Sequence, residues 1–315
     1  MASRVHILVL NYNGRVLLEE CLPSVVECAA AANVQCRVTV IDNESLDESV
    51  SWVVRHWPQV GVMRMPNRGL VSFNRAARLV EEPVVLLLNN DVKLAPGCVD
   101  HLVHAFDRHS DCFLAGPLCR TFDGRYEGTL SDLCFRRGLV HTQLRQQASD
   151  ATAAASAYTA SAGAVLAVSR DKFLALGGFD SLYLPGRYED LDLAFRGWLA
   201  GWNAYFVPEA MAYHKGSASF AACFSRTQVD ELDVRNSLLF AWKNLREPRH
   251  IGTHVAFLIV RVLRAVATGQ RAFLAGLAGA MRKLPDALQR RAASLPRARS
   301  ERELFELLGA KRLSC

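Results

Sequence analysis

Residues 83–91 read Pro83-Val84-Val85-Leu86-Leu87-Leu88-Asn89-Asn90-Asp91. An apolar run of this length between polar residues is typical of a strand buried on both faces. The carboxylate of Asp91 then lies at the C-terminal end of the strand, where open α/β sheets bind their ligands. A carboxylate in that place suits Mg²⁺, which proteins hold with one or two carboxylates while phosphate oxygens complete the shell. A strand that simply ends in a turn explains the same residues, so this stretch alone leaves both interpretations open.

Three earlier apolar stretches also have the pattern of strands. They cover residues 5–10, 37–41 and 60–65, and helical patterns follow them at 15–32, 47–56 and up to residue 82. Strands that alternate with helices predict right-handed βαβ crossovers and a mainly parallel sheet with helices on both faces. The polar segments at the strand ends are Asn11 to Gly14, Asp42 to Ser45, Asn67 to Gly69 and Asn89 to Asp91. All four are expected at one edge of the sheet, which favours a binding crevice over four separate turns.

The 315-residue chain has the composition of a globular protein, with 50% hydrophobic and 22% charged residues. This composition argues against a mainly disordered chain. The nine cysteines include no C-x-x-C pair and no metal-ligand spacing, and their number is odd. We therefore expect reduced thiols in a cytosolic protein. The first residues run directly into a strand pattern, so we expect no secretory signal.

The pattern becomes less regular after residue 119. Residues 120–152 carry scattered charge, glycine and glutamine without a clear period, which predicts an irregular excursion or a flexible loop. A strand pattern returns at 158–169, and a short helical pattern at 170–176 ends at two glycines. The second half of the chain is therefore expected to be less regular than the first.

A further helix pattern begins at Glu189. Its apolar residues recur at the spacing of an amphipathic helix, Gly201 is its expected end, and Asp192 and Arg196 are spaced to pair. Stabilisation by the helix dipole accounts for acidic residues in a first turn, including Glu189 and Asp192. Asp190 follows a loop rich in glycine and aromatic residues. That context makes it a candidate general base beside a bound substrate.

His214 ends another apolar stretch, residues 203–213. A single histidine in such a place is commonly a structural, hydrogen-bonded residue. A neutral imidazole is also a good ligand for divalent metals, and His214 is a candidate to share one ion with Asp91.

The last third of the chain is apolar and then strongly basic. Residues 251–281 are rich in Val, Leu, Ala and Phe, but their longest uncharged pieces are shorter than the roughly 20 residues that span a bilayer. Residues 282–302 hold seven Lys or Arg and two acids, a net charge of +5. Two interpretations remain open: helices that lie on an anionic membrane surface, or a helix hairpin packed on the rest of the protein or on a second subunit. The tail has too few aromatic residues to favour nucleic-acid binding.

The order of these motifs resembles a known family. The succession is Asn11-Tyr12-Asn13-Gly14, Asp42-Asn43-Glu44-Ser45, Asn67-Arg68-Gly69 with Asn74, Leu88-Asn89-Asn90-Asp91-Val92, Gly177-Gly178-Phe179-Asp180, Glu189-Asp190-Leu191-Asp192-Leu193 and His214. It resembles the family-2 inverting glycosyltransferases of GT-A fold, and among them the rhamnosyltransferase-like members. The resemblance covers about residues 4–245. It implies an α/β nucleotide-diphospho-sugar transferase fold, with a mainly parallel sheet flanked by helices and a C-terminal helical extension.

The resemblance implies a domain division. Residues 1–245 would form the GT-A catalytic domain, with a nucleotide-binding half at about 1–118 and an acceptor half at about 119–245. Residues 246–315 would form a helical, basic extension.

The resemblance also assigns roles to individual residues. Asn11, Asn13, Asp42 and Ser45 would hold the nucleoside, with Asp42 against the base. Asn67, Gly69 and Asn74 would shape the diphosphate side, together with Asn89 and Asn90. Asp91 is the metal-contacting acid of an Asp-x-Asp motif whose first Asp is here Asn89, and His214 would assist it with Mg²⁺ or Mn²⁺. Asp190 matches the catalytic base.

The implied activity is transfer of a sugar, with inversion, from a donor such as dTDP-rhamnose or a UDP-hexose. The acceptor would be a saccharide or a lipid-linked glycan in cell-envelope polysaccharide synthesis. The protein would be cytoplasmic, with possible contact to the inner face of the plasma membrane and possible self-association. A sugar nucleotidyltransferase is an alternative, but the segment Asn11 to Gly14 is not the Gly-rich, Arg/Lys-containing loop that such enzymes carry. A non-catalytic nucleotide-sugar-binding protein is another, against which Asp91, Asp190 and His214 argue.

Overall fold

The fold is described here from a computed structural model that covers residues 4–145, 158–161, 163–216 and 224–309. The strands are β1 Arg4–Asn11, β2 Gln35–Asp42, β3 Gly61–Arg64, β4 Val84–Asn89, β5 Val92–Leu94, β6 Cys112–Thr121, β7 Tyr126–Gly128, β8 Ser131–Arg136, β9 Leu139–Leu144, β10 Val165–Ser169 and β11 Asn203–His214. The helices are α1 Arg15–Ala31, α2 Ser49–His56, α3 Ser72–Leu79, α4 Cys98–Arg108, α5 Arg170–Ala175, α6 Glu189–Leu199, α7 Arg226–Asn244, α8 Pro248–Thr268, α9 Arg271–Arg282, α10 Leu284–Ala292 and α11 Glu301–Leu308. Short 3-10 turns lie at Gly69–Val71 and Ser181–Tyr183.

One sheet organises the described residues, in the order β3-β2-β1-β4-β10-β6-β11-β5, with β7 paired to β6. The half formed by β3, β2, β1 and β4 is parallel, as the alternation of strands and helices predicts. In the other half β10 runs antiparallel to both β4 and β6, and β5 runs antiparallel to β11. Strands β6 and β11 are again parallel to each other, so the sheet as a whole is mixed, and only its first four strands form a continuous parallel block.

Strand β4 lies at the centre of this sheet and is buried on both faces. Val84, Leu86 and Leu88 belong to one hydrophobic cluster, whereas Val85 and Leu87 belong to the other. Successive side chains of a strand point to opposite faces. An uninterrupted apolar run is what such a strand requires, and this explains why the stretch that ends at Asn89 has no alternation.

The prediction of an irregular segment at 120–152 is wrong for most of its length. Residues 126–144 form β7 and the β8–β9 hairpin, whose turn has Arg137 and Gly138 at positive φ. The hairpin packs against helices from the other end of the chain, because His254 of α8 donates to the carbonyl of Gly138. Strands that are stabilised by contacts with distant residues need no hydrophobic periodicity of their own, so the sequence pattern does not reveal them. Residues 146–152 lie outside the described ranges.

The strand predicted at 158–169 is shorter than expected. Strand β10 begins at Val165, and Tyr158 makes an isolated bridge to Tyr205. The short helix after it, α5, ends where Gly177 and Gly178 take positive φ, as predicted. The seven cysteines within the described ranges are free thiols, most of them buried.

The C-terminal helices share the hydrophobic core of the sheet. Ala280, Ala287, Leu304 and Leu308 belong to the same buried cluster as Phe113 of β6. Glu301 is fully buried and accepts from the backbone N–H of Arg246, from Arg297 and from His250. These contacts fasten the last helix to the junction at residues 245–246, and the division into domains there stays a prediction.

Helix α8 differs from the other C-terminal helices in its exposure. By length and composition it is apolar enough to cross a membrane, and only 11% of its most apolar window is buried. The sequence-based expectation rests on a stricter measure, the length of the uncharged pieces, which Arg261 and Arg264 interrupt in this helix.

Candidate active site

The four polar segments predicted to converge do meet at one edge of the sheet. In the parallel register Asn11 lies beside Asp42, Asp42 beside Arg64, and Leu10 beside Asn89. Carboxyl ends of parallel strands necessarily align in this way.

Hydrogen bonds join these segments to one another. Asn90 donates to the side-chain oxygen of Asn11 at 2.8 Å, and Asn11 donates to Ser45 at 3.2 Å. Ser45 also accepts from the backbone N–H of Asn13, whose side-chain oxygen accepts from Leu46. A β-carbon on Gly14 would lie 2.0 Å from the Asn90 amide nitrogen, so glycine is required there.

A cavity of about 910 Å³ opens above this edge. Of the predicted site residues it is lined by Asn67, Gly69, Asn89, Asn90, Asp91, Asp190 and His214. Asn11, Asn13, Asp42 and Ser45 do not line it. Asn11 bonds to the lining residue Asn90, and Ser45 joins Asn11 to Asn13, so these three residues support the cavity floor. Asp42 is buried, and one of its carboxylate oxygens has no partner among the described residues. The side-chain oxygen of the neighbouring Asn43, which does line the cavity, also has no partner within the described ranges.

Asn74 is the predicted site residue that the structure places elsewhere. Its amide donates to the carbonyls of Gly177 and Phe179 and accepts from the N–H of Phe179. A β-carbon on Gly178 would lie 2.2 Å from the Asn74 oxygen. Asn74 therefore holds the turn after α5, and it does not line the large cavity.

Asp91 and His214 are adjacent on the cavity wall. Asp91 Oδ1 lies 3.3 Å from His214 Nε2 and accepts no hydrogen bond of good geometry from the described residues. The other ring nitrogen, Nδ1, lies 2.9 Å from Glu127 Oε1. Burial alone would lower the pKa of His214, but the neighbouring carboxylates of Asp91 and Glu127 outweigh it and raise the pKa to about 9.

This group of side chains fits a divalent cation. A buried carboxylate oxygen without a partner stands beside an imidazole nitrogen, and oxygen and imidazole ligands suit Mn²⁺ and related ions. Glu127 stands behind the imidazole, as carboxylates commonly do behind metal-binding histidines.

Asp190 lies at the start of α6 and faces the same cavity. One carboxylate oxygen accepts from the N–H of Leu191 at 2.8 Å, and the other accepts from the Ser161 hydroxyl at 3.2 Å. Burial raises the pKa of Asp190 above its usual range. Burial and the adjacent Asp190 also raise the pKa of Glu189, which lines the cavity with one carboxylate oxygen unpartnered among the described residues. A carboxylate with a raised pKa has the proton affinity that a general base needs.

The loop before α6 is held in an unusual conformation. Arg187 and Tyr188 both have φ near +75°, a region that residues other than glycine rarely adopt. Arg187 makes a two-point ion pair with Asp233 of α7, at 2.7 and 2.8 Å. The fully buried Asn236 donates to the carbonyls of Tyr183, Gly186 and Arg187. Helix α7 thus fixes the loop that delivers Asp190 to the cavity.

Asp192, two residues further along α6, has a structural role. It is fully buried and accepts from Lys243 at 2.8 Å, from Arg196 at 2.7 Å, and from Asn244 and Tyr183. Burial alone would raise the pKa of Asp192, but Arg196 and Lys243 outweigh it and hold the pKa well below the usual range. The pairing predicted between Asp192 and Arg196 is confirmed, within a larger network that the sequence does not reveal.

Sequence reasoning misses four residues of the site: Glu127, Ser161, Asp233 and Asn236. Glu127 lies in the segment predicted to be irregular, and the backbone N–H of Ser161 donates to Ser131 of that segment. Asp233 and Asn236 are spaced at i and i+3 on one side of α7, which is a detectable signal for a helix face that contacts something polar.

Comparison with known proteins identifies the family. The model of the family described as "Glycosyltransferase like family 2" matches residues 3–228, which is more than half of the chain. This chain is a family-2 glycosyltransferase. Family membership decides against the alternatives of a sugar nucleotidyltransferase and a non-catalytic binding protein.

A curated relative of this glycosyltransferase is the N-acetylglucosaminyl-diphospho-decaprenol L-rhamnosyltransferase of Mycobacterium tuberculosis. The two are 27% identical over 241 residues, which is 68% of this chain and 76% of the relative. Together with the family match, this relative supports a hexosyltransferase.

Solved structures similar to this glycosyltransferase are GT-A enzymes. GalNAc-T7 with UDP, GalNAc and Mn²⁺ matches with a TM-score of 0.58 and 17% identity, over 76% of this chain and 48% of that one. S. aureus TarS residues 1–349 with UDP-GlcNAc match with a TM-score of 0.56 and 16% identity, over 91% and 81%. The mannosyltransferase PcManGT of Pyrobaculum calidifontis with GDP-Man and Mn²⁺ matches with a TM-score of 0.51 and 16% identity, over 92% and 86%. These likenesses show the GT-A fold.

Proposed function

We propose that this glycosyltransferase moves a hexosyl group, L-rhamnose as the first candidate, from a nucleoside-diphosphate donor to a lipid-linked glycan, with inversion. The observation that carries the proposal is that one cavity holds both the Asp91–His214 pair and Asp190. The choice of rhamnose and of a lipid-linked N-acetylglucosaminyl acceptor rests on the name of the mycobacterial relative. The other donors to test are UDP-linked hexoses.

Asp190 acts as the base in the proposed mechanism. The acceptor hydroxyl attacks the anomeric carbon from the face opposite the diphosphate, and a carboxylate oxygen of Asp190 takes its proton. A new bond joins the acceptor oxygen to that carbon, while the bond to the diphosphate oxygen breaks. One displacement without a covalent intermediate inverts the configuration. Ser161 and the N–H of Leu191 hold the carboxylate in place for this step.

The donor would lie across the strand ends. Asn43 lines the cavity, and its side-chain oxygen would accept from the nucleobase over the floor that Asn11, Asn13 and Ser45 support. Asp42, buried beside it, is the second candidate to contact the base. The diphosphate would lie against Asn67, Gly69, Asn89 and Asn90, all of which line the cavity.

Asp91 and His214 would hold Mg²⁺ or Mn²⁺. A cation bound there supplies positive charge that stabilises the diphosphate as it leaves. Asn89 is neutral where the family motif has an acid, so Asp91, His214 and the diphosphate would supply more of the ligands to a bound cation.

The activity assay offers each nucleotide sugar with a polyprenyl-diphosphate N-acetylglucosamine acceptor, and with and without Mn²⁺. We expect release of the nucleoside diphosphate, no pyrophosphate, and a product whose new linkage has inverted configuration by NMR. A product with retained configuration would contradict the mechanism. Transfer only from donors other than dTDP-rhamnose would contradict the choice of sugar.

Replacing Glu127 with Gln is expected to weaken Mn²⁺ binding by about 10–100-fold, because Glu127 orients the His214 ring and makes it more basic. Mn²⁺ affinity measured by calorimetry checks this. Glu209→Gln is the matched control, since Glu209 is exposed on the same strand β11 as His214. Equal affinity in the two variants would show that Glu127 does not act on the metal through His214.

We propose that the enzyme acts at the inner face of the plasma membrane, where a lipid-linked acceptor is presented to a cytoplasmic enzyme. Light scattering of the full chain in solution measures whether the protein also self-associates.

A further inference from the structure

Helix α8 carries an exposed stripe that consists only of apolar residues and glycine. Its members recur every three or four residues, so they fall on one side of the helix. We call it the α8 stripe: Gly252, Val255, Ala256, Ile259, Val260, Leu263, Val266 and Ala267, all exposed. The larger side chains of the stripe are between 48% and 65% exposed. Single exposed apolar residues are ordinary, whereas a continuous stripe of them marks a surface that contacts something.

The other side of α8 is tied to the protein. His254 is buried, donates to the carbonyl of Gly138 at 2.6 Å and accepts from the Trp242 indole at 2.9 Å. Seven residues later, Arg261 donates to the carbonyl of Arg137 at 3.2 Å. Two anchors two turns apart hold the helix along the surface of the protein. While they persist, α8 lies flat and does not cross a bilayer.

The charged residues along the sequence around the α8 stripe are all basic. Residues 248–285 contain six Lys or Arg and no Asp or Glu. Arg249 and Arg264 are exposed and lie within one turn of stripe residues. A second copy of this chain placed on the stripe would bring like charges together. An anionic lipid surface would instead complement them, and an apolar face bordered by arginine is the pattern of helices that lie in a membrane interface.

We propose that the α8 stripe docks on an anionic bilayer, with its apolar side chains at the boundary between headgroups and acyl chains and with Arg249 and Arg264 among the lipid phosphates. The proposal deepens the proposed function and rests on it for the acceptor that the membrane would present.

The docked helix would lie close to the active-site cavity. Its anchors are on the turn of the β8–β9 hairpin, and a β-carbon on Gly138 would lie only 2.9 Å from the Cα of His254. His141 of β9 lines the cavity. Burial lowers the pKa of His141, and the charge of Arg261 on α8 lowers it further. A bilayer under the stripe would therefore stand beside the cavity, where a membrane-bound acceptor needs to be.

Flotation with vesicles tests the docking. The full chain is mixed with vesicles of phosphatidylcholine and phosphatidylglycerol, or of phosphatidylcholine alone, at low salt. The test variant is Val260→Asp with Leu263→Asp. The matched control is Val54→Asp with Leu79→Asp, which adds the same charges at helix positions of similar exposure, 58% and 60% against 60% and 65%.

We expect the wild type and the control to float with anionic vesicles only, and the floating fraction of the test variant to fall at least about tenfold. Circular dichroism melting of both variants checks that they are folded. Failure of the wild type to float, or equal flotation of the two variants, would overturn the proposal. A wild-type dimer by light scattering that the test variant dissociates, without flotation, would assign the stripe to a second copy.

The experiment can reject the docking proposal and the proposed function independently of each other. Flotation needs no turnover, and transfer to a short soluble N-acetylglucosaminide is measured on the same samples. Flotation without transfer from any donor would reject the proposed function and leave the docking surface in place. Transfer without flotation would do the reverse.

Discussion

Replacing Asp190 with Asn is expected to lower kcat for sugar transfer by about 10²–10⁴-fold, the contribution that a positioned general base makes. The amide keeps the size of the side chain: its oxygen can still accept from the N–H of Leu191, and its NH2 group can donate to the Ser161 hydroxyl oxygen, so the loop should stay in place. It cannot take the proton of the acceptor hydroxyl. Donor affinity should stay close to that of the wild type, because Asp190 is assigned to the acceptor hydroxyl. Steady-state kinetics and calorimetry with the nucleoside diphosphate measure the two effects.

Glu189→Gln is the matched control for Asp190→Asn, since both residues are acids of the same helix turn that line the cavity. A near wild-type rate in Asp190→Asn, or an equal loss in the two variants, would reject the assignment of the base. The pH profile gives a second readout. Because burial raises the pKa of Asp190, wild-type kcat/KM should rise with pH as the carboxylate forms and should fall as pH drops through that pKa. This rise of kcat/KM with pH should be absent from the Asp190→Asn variant.

Replacing Asp192 with Ala is expected to destabilise the protein by about 3–5 kcal/mol, the cost of removing one partner from a buried ion pair. The ammonium of Lys243 is almost fully buried and would keep only Asp180, at 2.6 Å. Arg196, whose guanidinium also donates to the carbonyls of Leu176 and Gly178, would lose its carboxylate. Urea unfolding followed by tryptophan fluorescence measures the change in the free energy of unfolding.

The matched control for Asp192→Ala is Asp171→Ala, which breaks a pair with Arg170 at 3.4 Å whose carboxylate is 91% exposed. Surface pairs of this kind contribute little to stability. A similar loss of unfolding free energy in both variants would mean that the buried network around Asp192 stabilises the protein no more than a surface ion pair does. Donor binding by the folded fraction of Asp192→Ala should be unchanged, since Asp192 does not line the cavity.

The sequence predicts the parallel half of the sheet well because each of its elements is local. A strand buried on both faces needs an uninterrupted apolar run, and the carboxyl ends of parallel strands must align, so local pattern alone puts Asp91 and Asn11 at one edge. The helix at Glu189 and its Asp192–Arg196 pair are predictable for the same reason, since both follow from spacing along one helix.

The remaining parts of the site depend on contacts between residues far apart in the chain. Glu127 reaches His214 across 87 positions, and Asn74 holds Phe179 across 105. The hydrophobic periodicity of the sequence gives no information about pairs so far apart. The β8–β9 hairpin is not predicted from the sequence, because the helices that cover it come after residue 245. The motif around Asn74 predicts a cavity residue, whereas the folded chain turns that side chain toward Phe179 instead.

The carboxylate of Asp180 joins three parts of this glycosyltransferase at one point. It receives Lys243 from α7, Arg290 from α10 and the N–H of Leu182 from its own turn. Homologues that exchange the arginine at the position of Arg290 should therefore also change the acid at Asp180 or the lysine at Lys243. The C-terminal helices and the catalytic part would then be inherited as one unit, and chimeras that swap only the extension between relatives would need to carry this three-residue set with it.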